Sequence, residues 1–183
     1  MNLKQIHYSW NPILYELNTD AFLYFKNEVL PREKYYPEAD KVFRVFSMPM
    51  SDIKVVVIGT FVTKHWYVSK TKGEEKGVFY LPLSLTQGAE TDHTEYWEPF
   101  IKKVIYFISK SNATLWILPT LEAQRFAANL PVKTIFNVLN YDDKTIHQIP
   151  INVDYNYVFK GKFINTEHIN ILLEKLGKET INW

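Results

Sequence analysis

Basic and aromatic side chains alternate in the segment that follows the first predicted strand. Between Lys64 and Lys76 the sequence has four Lys, one His and two large aromatic residues, together with two Glu. Lysines neutralise the phosphates of a nucleic-acid backbone, and aromatic rings stack on its bases. The alternative is a solvated loop whose rings cover the core, because surface lysines are common. The side chains that would contact nucleic acid here are Lys64, His65, Lys70 and Lys72.

A second polar stretch, Glu90-Thr91-Asp92-His93-Thr94-Glu95, contains three carboxylates and one imidazole. These groups suit a metal site or acid–base chemistry. They also suit the start of a helix, where unpaired backbone N–H groups and the helix dipole favour acidic side chains. We favour the helix cap, because the spacing matches no metal-binding motif and the five His are scattered through the chain. No metal is predicted.

A third polar stretch, Asn140-Tyr141-Asp142-Asp143-Lys144, follows the last predicted strand. The two adjacent carboxylates point in different directions, so they do not form a ready acid–base pair. Asn and Asp favour turns, and a turn is the simpler interpretation. If the carboxyl edge of the sheet binds nucleic acid, we expect Asn140, Tyr141 and Lys144 to contribute to it.

Several kinds of site are excluded by what the sequence lacks. It has no glycine-rich phosphate loop, no nucleophile elbow and no helical zinc-protease motif. It also has no Cys, which excludes disulfides, thiolate metal sites, iron–sulfur clusters and a cysteine nucleophile. No cofactor is predicted.

Length and composition predict one soluble domain. The 183 residues are 46% hydrophobic, 22% charged and 16% aromatic, so we expect residues 1–183 to form one domain with a real core. The net charge of +1 leaves nucleic-acid binding to local patches. The first residues lack the apolar segment of a signal peptide, and no run reaches the about 18 apolar residues that span a membrane. We therefore expect no membrane contact and a location in the cytoplasm or another reducing intracellular compartment.

Strand-like and helix-like patterns alternate along the chain. The β-branched run before Gly59 predicts a buried strand, and Gly177 stands where a helix C-cap is expected. The alternation predicts an α/β fold with a mainly parallel sheet, whose ligands gather beyond the carboxyl ends of the strands. The predicted strands are Ile53–Ile58, Val78–Leu85, Leu115–Leu118 and Thr134–Leu139, and the predicted helices are Pro12–Val29, Tyr96–Ile108, Leu121–Ala128 and Glu167–Leu176.

These segments, taken in order, resemble the family-1 uracil-DNA glycosylases over nearly the whole chain. The resemblance implies a three-layer αβα fold around a central four-stranded, mainly parallel sheet. The terminal Ile181-Asn182-Trp183 also resembles the poxvirus member of the family, which serves as a polymerase processivity component. The similar segments are Trp10, Tyr35-Tyr36-Pro37, Val42–Phe46, Ile53–Gly59, Gly77–Leu81, His93 with Trp97–Ile105, Leu115–Leu118, Ala123-Gln124 and Gly177–Trp183.

The resemblance fails at the positions that carry the family's chemistry. The water-activating Asp of the family corresponds to Phe61, and the Gln before it to Thr60. The Pro-Tyr-His that follows corresponds to Val62–Lys64. The Asn that reads the uracil edge corresponds to Pro82, and the catalytic His corresponds to Asn140. The block that carries the uracil-stacking Phe and a Pro-Pro-Ser loop has no equivalent in this sequence.

These replacements remove the groups that base excision needs. Cleavage of the N-glycosidic bond requires a carboxylate to support the cationic sugar and orient water, and a donor to support the leaving uracilate. Phe61 has no charge, Pro82 has neither a side-chain amide nor an N–H, and Asn140 is not a comparable acid. We therefore predict a non-catalytic protein of this fold that binds DNA, a protein partner such as a replication or repair component, or both, in DNA replication, repair or a viral or mobile-element context.

Two other functions stay open at this point. The near-zero charge and the many aromatic residues also fit a module that binds only proteins, because Tyr, Trp and Phe often anchor interfaces. Alternatively, Asp142 or Asp143, assisted by His147, orients water in a glycosylase that acts on a modified base.

Overall fold

A computed structural model describes residues 3–59, 76–111, 114–128, 136–139, 156–160 and 166–183. For residues 136–139 and 156–160 it describes the backbone. Within these ranges, every helix is too short or too polar to span a bilayer.

The centre of the fold is a parallel sheet in which five strands lie in the order β3-β2-β5-β7-β6. The other two strands, β1 and β4, pair with each other in antiparallel orientation. The strands are β1 Tyr35–Tyr36, β2 Val55–Gly59, β3 Val78–Pro82, β4 Gln87–Gly88, β5 Leu115–Leu118, β6 Phe136–Leu139 and β7 Asn156–Lys160.

The prediction of a parallel sheet is confirmed, but the prediction of four strands is wrong. The missed strand is β7, which lies between β5 and β6. Its sequence, Asn-Tyr-Val-Phe-Lys, holds only three apolar residues between polar ends. A run this short carries little pattern of its own, and it forms a strand because both of its neighbours pair with it.

Strands β2, β3 and β5 are buried on both faces, as the β-branched composition of β2 predicts. Side chains alternate along these strands, so that Val56 and Ile58 enter one core, which we call the first core, while Val55 and Val57 enter the second core on the other face. In β5, Trp116 likewise enters the first core, whereas Leu115 and Ile117 enter the second. Helices therefore cover the sheet on two sides.

Four α-helices lie in the part of the chain that the structure describes. They are α1 Asp20–Tyr24, α2 Thr94–Ser111, α3 Leu121–Ala128 and α4 Thr166–Lys175. Helix α2 buries an apolar stripe at helical spacing in the first core, and α4 buries Ile169, Leu172 and Leu173 in the second. Both helices confirm the sequence pattern.

Helix α4 is capped as predicted by Gly177, which lies two residues beyond its end and has φ +67°. The N–H of Gly177 donates to the carbonyl of Glu174 (2.9 Å), and the N–H of Lys178 donates to that of Leu173 (2.8 Å). This pair of bonds is a Schellman motif, which needs the left-handed conformation that glycine adopts without steric penalty.

The single helix predicted over Pro12–Val29 is wrong. The chain forms a 3₁₀ helix over Tyr8–Asn18, then α1, then a π-helical turn over Phe25–Val29. The break falls at Thr19, whose backbone is extended and whose hydroxyl accepts the N–H of Phe22 (3.3 Å). A capping hydroxyl here starts a new helix, which outweighs the apolar spacing on either side.

Much of the aromatic content lies in the first core. Trp10 stacks on Phe79 with ring centroids 5.2 Å apart, and its indole N–H donates to the carbonyl of Met48 (2.9 Å). Trp97 makes edge-to-face contacts with Phe22 and Phe43. These rings fill the space between the sheet and its outer layer of helices.

Candidate functional site at the carboxyl edge of the sheet

The carboxyl ends of β2 and β3 lie side by side. Gly59 and Pro82 are paired across the two strands, and the N–H of Leu83 donates to the carbonyl of Gly59 (3.0 Å). Because parallel strands end at one edge of a sheet, this is where a ligand of the fold is expected. The described part of the candidate site is built outward from this pair.

Pro82 ends β3 and is buried. A proline is tolerated at this position because the strand ends there, but it offers neither an N–H nor a polar side chain. The residues beside it, Leu81 and Leu83, are buried and apolar. In the described residues, this corner of the edge therefore presents hydrocarbon where the sequence resemblance implies a base-reading amide.

Beyond Leu83 the chain carries buried polar groups that are all bonded within the protein. The indole N–H of Trp97 donates to the hydroxyl of Thr86 (2.7 Å), which lies 2.9 Å from Nδ1 of His93. Nε2 of His93 in turn lies 2.9 Å from Oε1 of Glu33. We call Glu33, Thr86, Thr91, His93 and Trp97 the histidine network.

Part of the bonding in the histidine network follows from the chemistry of its members. An indole nitrogen only donates, so the Thr86 oxygen accepts from Trp97. Because a hydroxyl has two lone pairs and one proton, Thr86 can either donate to Nδ1 of His93 or accept from it. An ionised Glu33 only accepts, so Nε2 of His93 is the donor to its carboxylate.

Glu33 is the acceptor at the end of this network. The Thr91 hydroxyl donates to it, as does the backbone N–H of Glu90 (3.3 Å). The hydrogen bond from Thr91, followed by that from His93, lowers the pKa of Glu33 to about 2. A carboxylate this acidic is a poor general base at neutral pH, so the histidine network suits a structural role.

Gly88 makes room for the Glu33 carboxylate. A Cβ atom at Gly88 would lie 2.3 Å from Oε2 of Glu33. Since Gly88 pairs with Tyr35 in the small antiparallel sheet, the absence of a side chain brings the two strands and the network together. The sequence offered no signal for this role.

The acidic stretch before α2 acts as a helix cap, as the sequence analysis favours. The carboxylate of Asp92 accepts the backbone N–H of Thr94 (2.9 Å), and the carbonyl of His93 accepts the N–H of Trp97 (3.3 Å). No group of three or more His, Asp or Glu side chains in the described residues is arranged to hold a metal ion.

The end of β5 is closed by the first turn of α3. The Thr120 hydroxyl accepts the N–H of Ala123 (3.2 Å), and the amide of Gln124 donates to the carbonyl of Leu118 (3.1 Å). Gln124, which the resemblance matches to a family Gln, therefore caps a strand in this protein.

Most of the predicted site residues lie outside the described residues. They are Phe61, Lys64, His65, Lys70, Lys72, Asn140, Tyr141 and Lys144, and with them Asp142, Asp143 and His147. Their roles stay predictions, and of the replaced family positions Pro82 is the one that the structure describes.

The strand order places the residue before Asn140 away from β2. Leu139, the last described residue before Asn140, ends β6, which is an edge strand of the five-stranded sheet. With about 4.8 Å between neighbouring strands, and with β5 and β7 between them, β6 lies about 14 Å from β2.

No protein-family model matches the chain, and no curated protein matches it in sequence. Solved structures match its fold. Two variants of mimivirus uracil-DNA glycosylase (UNG), each in complex with UGI, are similar over 100% of this chain and 91% of their own, at 13% sequence identity. Their TM-scores are 0.68 and 0.64. The fold is therefore like that of a uracil-DNA glycosylase.

Proposed function

We propose that this chain is a non-catalytic protein with a uracil-DNA-glycosylase fold that acts by binding DNA, a protein partner or both, in DNA replication or repair. The observation that carries the proposal is Pro82, buried beside Gly59 at the carboxyl edge of the sheet. A base held against this position would meet the pyrrolidine ring of Pro82, which has no hydrogen-bond donor.

The lack of a hydrogen-bond donor at Pro82 should slow base excision strongly. A hydrogen-bond donor that supports developing negative charge contributes about 10²–10³-fold to the rate of a reaction. A general base or acid contributes a further about 10²–10⁴-fold, and the sequence places Phe61 and Asn140 at those positions. These contributions are not independent, but the loss of all of them leaves too little to cleave an N-glycosidic bond at a useful rate.

DNA binding is supported by the sequence of the segment after β2. Lys64, Lys70 and Lys72, together with Lys144, supply four cationic groups among aromatic residues. If four phosphates are neutralised, single-stranded DNA affinity should fall about 50-fold between about 50 mM and about 200 mM salt.

Protein binding is supported by exposed aromatic side chains in the described residues. Tyr8 is 75% exposed, and Tyr15, Tyr24 and Trp183 are also exposed. Aromatic residues of this kind are enriched at the centres of protein interfaces. The mimivirus glycosylase variants provide a precedent, since each forms a complex with UGI.

The proposal is tested by fluorescence anisotropy with a labelled single-stranded oligonucleotide at several salt concentrations. We expect saturable, salt-dependent binding that weakens when Lys64, Lys70, Lys72 and Lys144 are changed together to Gln. The matched control changes Lys26, Lys41, Lys102 and Lys110 to Gln, which removes the same charge elsewhere and should keep the affinity.

A pull-down from native host extract, with and without nuclease, separates the two modes of binding. A partner that is lost after nuclease treatment supports contact through DNA, and one that is retained supports direct protein contact. The absence of both oligonucleotide binding and any retained partner would contradict the proposal.

A further inference from the structure

A cleft of about 550 Å³ lies at the amino edge of the sheet, opposite the candidate site. The segments that enter β2 and β3 form two of its walls, and the C-terminal segment Lys178–Asn182 forms the third. Because the cleft lies where the strands begin, a ligand there would not compete with one at the carboxyl edge. A volume of this size accommodates a small molecule.

Three lysines from distant parts of the sequence line this cleft. Lys54 pairs with Glu179 (3.1 Å), and the ammonium group of Lys76 donates to the backbone carbonyl of Asn182. Lys178 is half-buried, and its burial, followed by the positive charge of Lys54, lowers its pKa. The fold therefore holds two ammonium groups near each other in spite of their repulsion.

The walls of the cleft are fixed by backbone bonds. Gly77 has φ +87°, and a Cβ atom there would lie 2.8 Å from the carbonyl oxygen of Asp52 and 3.0 Å from Cγ of Lys54. The N–H of Lys54 donates to the carbonyl of Gly77 (2.9 Å). Glycine at this position thus lets the stem of Lys54 lie against the neighbouring strand.

The C-terminal wall is held by one side chain of α4. The amide of Asn170 donates to the carbonyl of Ile181 (3.0 Å) and accepts its N–H (2.9 Å), as a neighbouring strand would. Ile181 is buried in the second core. The wall, and with it Lys178, therefore has a defined place beside the two strands.

The lining contains more basic than acidic side chains. It has three ammonium groups and two carboxylates, those of Asp52 and Glu179. The side chain of Glu179 is 91% exposed, so its pairing with Lys54 is screened by water and contributes little. A bound anion would relieve the repulsion between Lys54 and Lys178.

We propose that this cleft binds the phosphate group of a small molecule. Lysine ammonium groups bind phosphate as compact charges, and the hydroxyl of Thr180 in the lining is a further donor. The site is independent of the proposed function, because it involves none of the residues assigned to the carboxyl edge.

Binding is tested by isothermal titration calorimetry with inorganic phosphate, pyrophosphate and AMP at low salt. We expect saturable binding, with Lys54→Met and Lys178→Met each weakening it by about tenfold, since each removes a charged hydrogen-bond donor. Lys26→Met, which removes an exposed charge outside the lining, is the matched control and should stay within about twofold. Tighter binding of AMP than of phosphate assigns the cleft to a nucleotide, and equal binding assigns it to a free phosphate group.

A second variant distinguishes loss of a site from loss of structure. Glu179→Gln removes the carboxylate that competes with phosphate for Lys54, so phosphate affinity should rise a few-fold. A variant that merely loosened the C-terminal wall would bind less well. No saturable binding by the unmodified protein, or weaker binding by Glu179→Gln, would overturn the proposal.

Discussion

The histidine network makes a quantitative prediction about pH and stability. The carboxylate of Glu33 is 13% exposed and accepts hydrogen bonds from Thr91, His93 and a backbone N–H, which lower its pKa from 4.5 to about 2. Each tenfold change in an acid dissociation constant is about 1.4 kcal/mol, so this change sets an upper limit of about 3 kcal/mol on the contribution of Glu33 to the free energy of unfolding. Solvent screens part of it, and we expect about 1–3 kcal/mol.

The sign of the pH dependence follows from the direction of the shift. The unfolded chain binds a proton at Glu33 more readily than the folded chain does, so stability from this group is fully present above pH 4.5. It is lost as the pH falls from 4.5 through about 2. Glu33→Gln should therefore destabilise the protein at neutral pH and make progressively less difference as the pH falls through this range.

The assay is urea unfolding followed by tryptophan fluorescence at several pH values. The control is Glu28→Gln, because Glu28 forms an ion pair with Arg32 (3.0 Å) but its side chain is 53% exposed. We expect that control to change the free energy of unfolding by less than about 1 kcal/mol. If Glu33→Gln were no more destabilising than Glu28→Gln at neutral pH, or if its effect did not shrink in acid, the assigned role of Glu33 would be wrong.

Further predictions concern the neighbouring contacts. Gly88→Ala should displace the Glu33 carboxylate and lower the free energy of unfolding by about 1–3 kcal/mol, measured by the same assay. In a Glu33→Ala background the same change should have little effect, and equal effects in both backgrounds would show that the two sites are not coupled. Asn170→Ala should release the backbone of Ile181 from its two hydrogen bonds with Asn170, so that the Ile181 amide exchanges its hydrogen faster. An unchanged exchange rate would show that Asn170 does not hold the C-terminal segment. Gly177→Ala should cost about 1 kcal/mol because of its positive φ, and no loss in thermal unfolding would show that the Schellman motif is not needed.

The strongest local patterns in the sequence predicted the fold well. The β-branched run of β2, the apolar stripe of α2 and the cap at Gly177 each concentrate several signals in a few residues. The prediction of one N-terminal helix is wrong because apolar spacing continues across Thr19, where the backbone is extended and a hydroxyl cap starts a new helix. Strand β7 was missed because its strand conformation depends on pairing with β5 and β6.

The sequence predicts one feature of the candidate sites and misses two others. The prediction that Pro82 replaces the base-reading Asn comes from its place in an ordered series of segments, and the structure locates Pro82 beside Gly59. The cleft at the amino edge has no such signal in the sequence, because the sheet and Asn170 bring Lys54, Lys76 and Lys178 together from distant positions. The partnership of Glu33 with His93 likewise joins residues distant in sequence.

The central claim, that a uracil-DNA-glycosylase fold is used here without its chemistry, is tested most directly by single-turnover base release. Excess protein is incubated with labelled single- and double-stranded DNA that contains uracil, the abasic product is cleaved with alkali, and an active uracil-DNA glycosylase serves as the positive control. We predict no release above the protein-free rate, even at protein concentrations that saturate the DNA. Release of uracil by the unmodified protein at a rate comparable to that of the active enzyme would contradict the account.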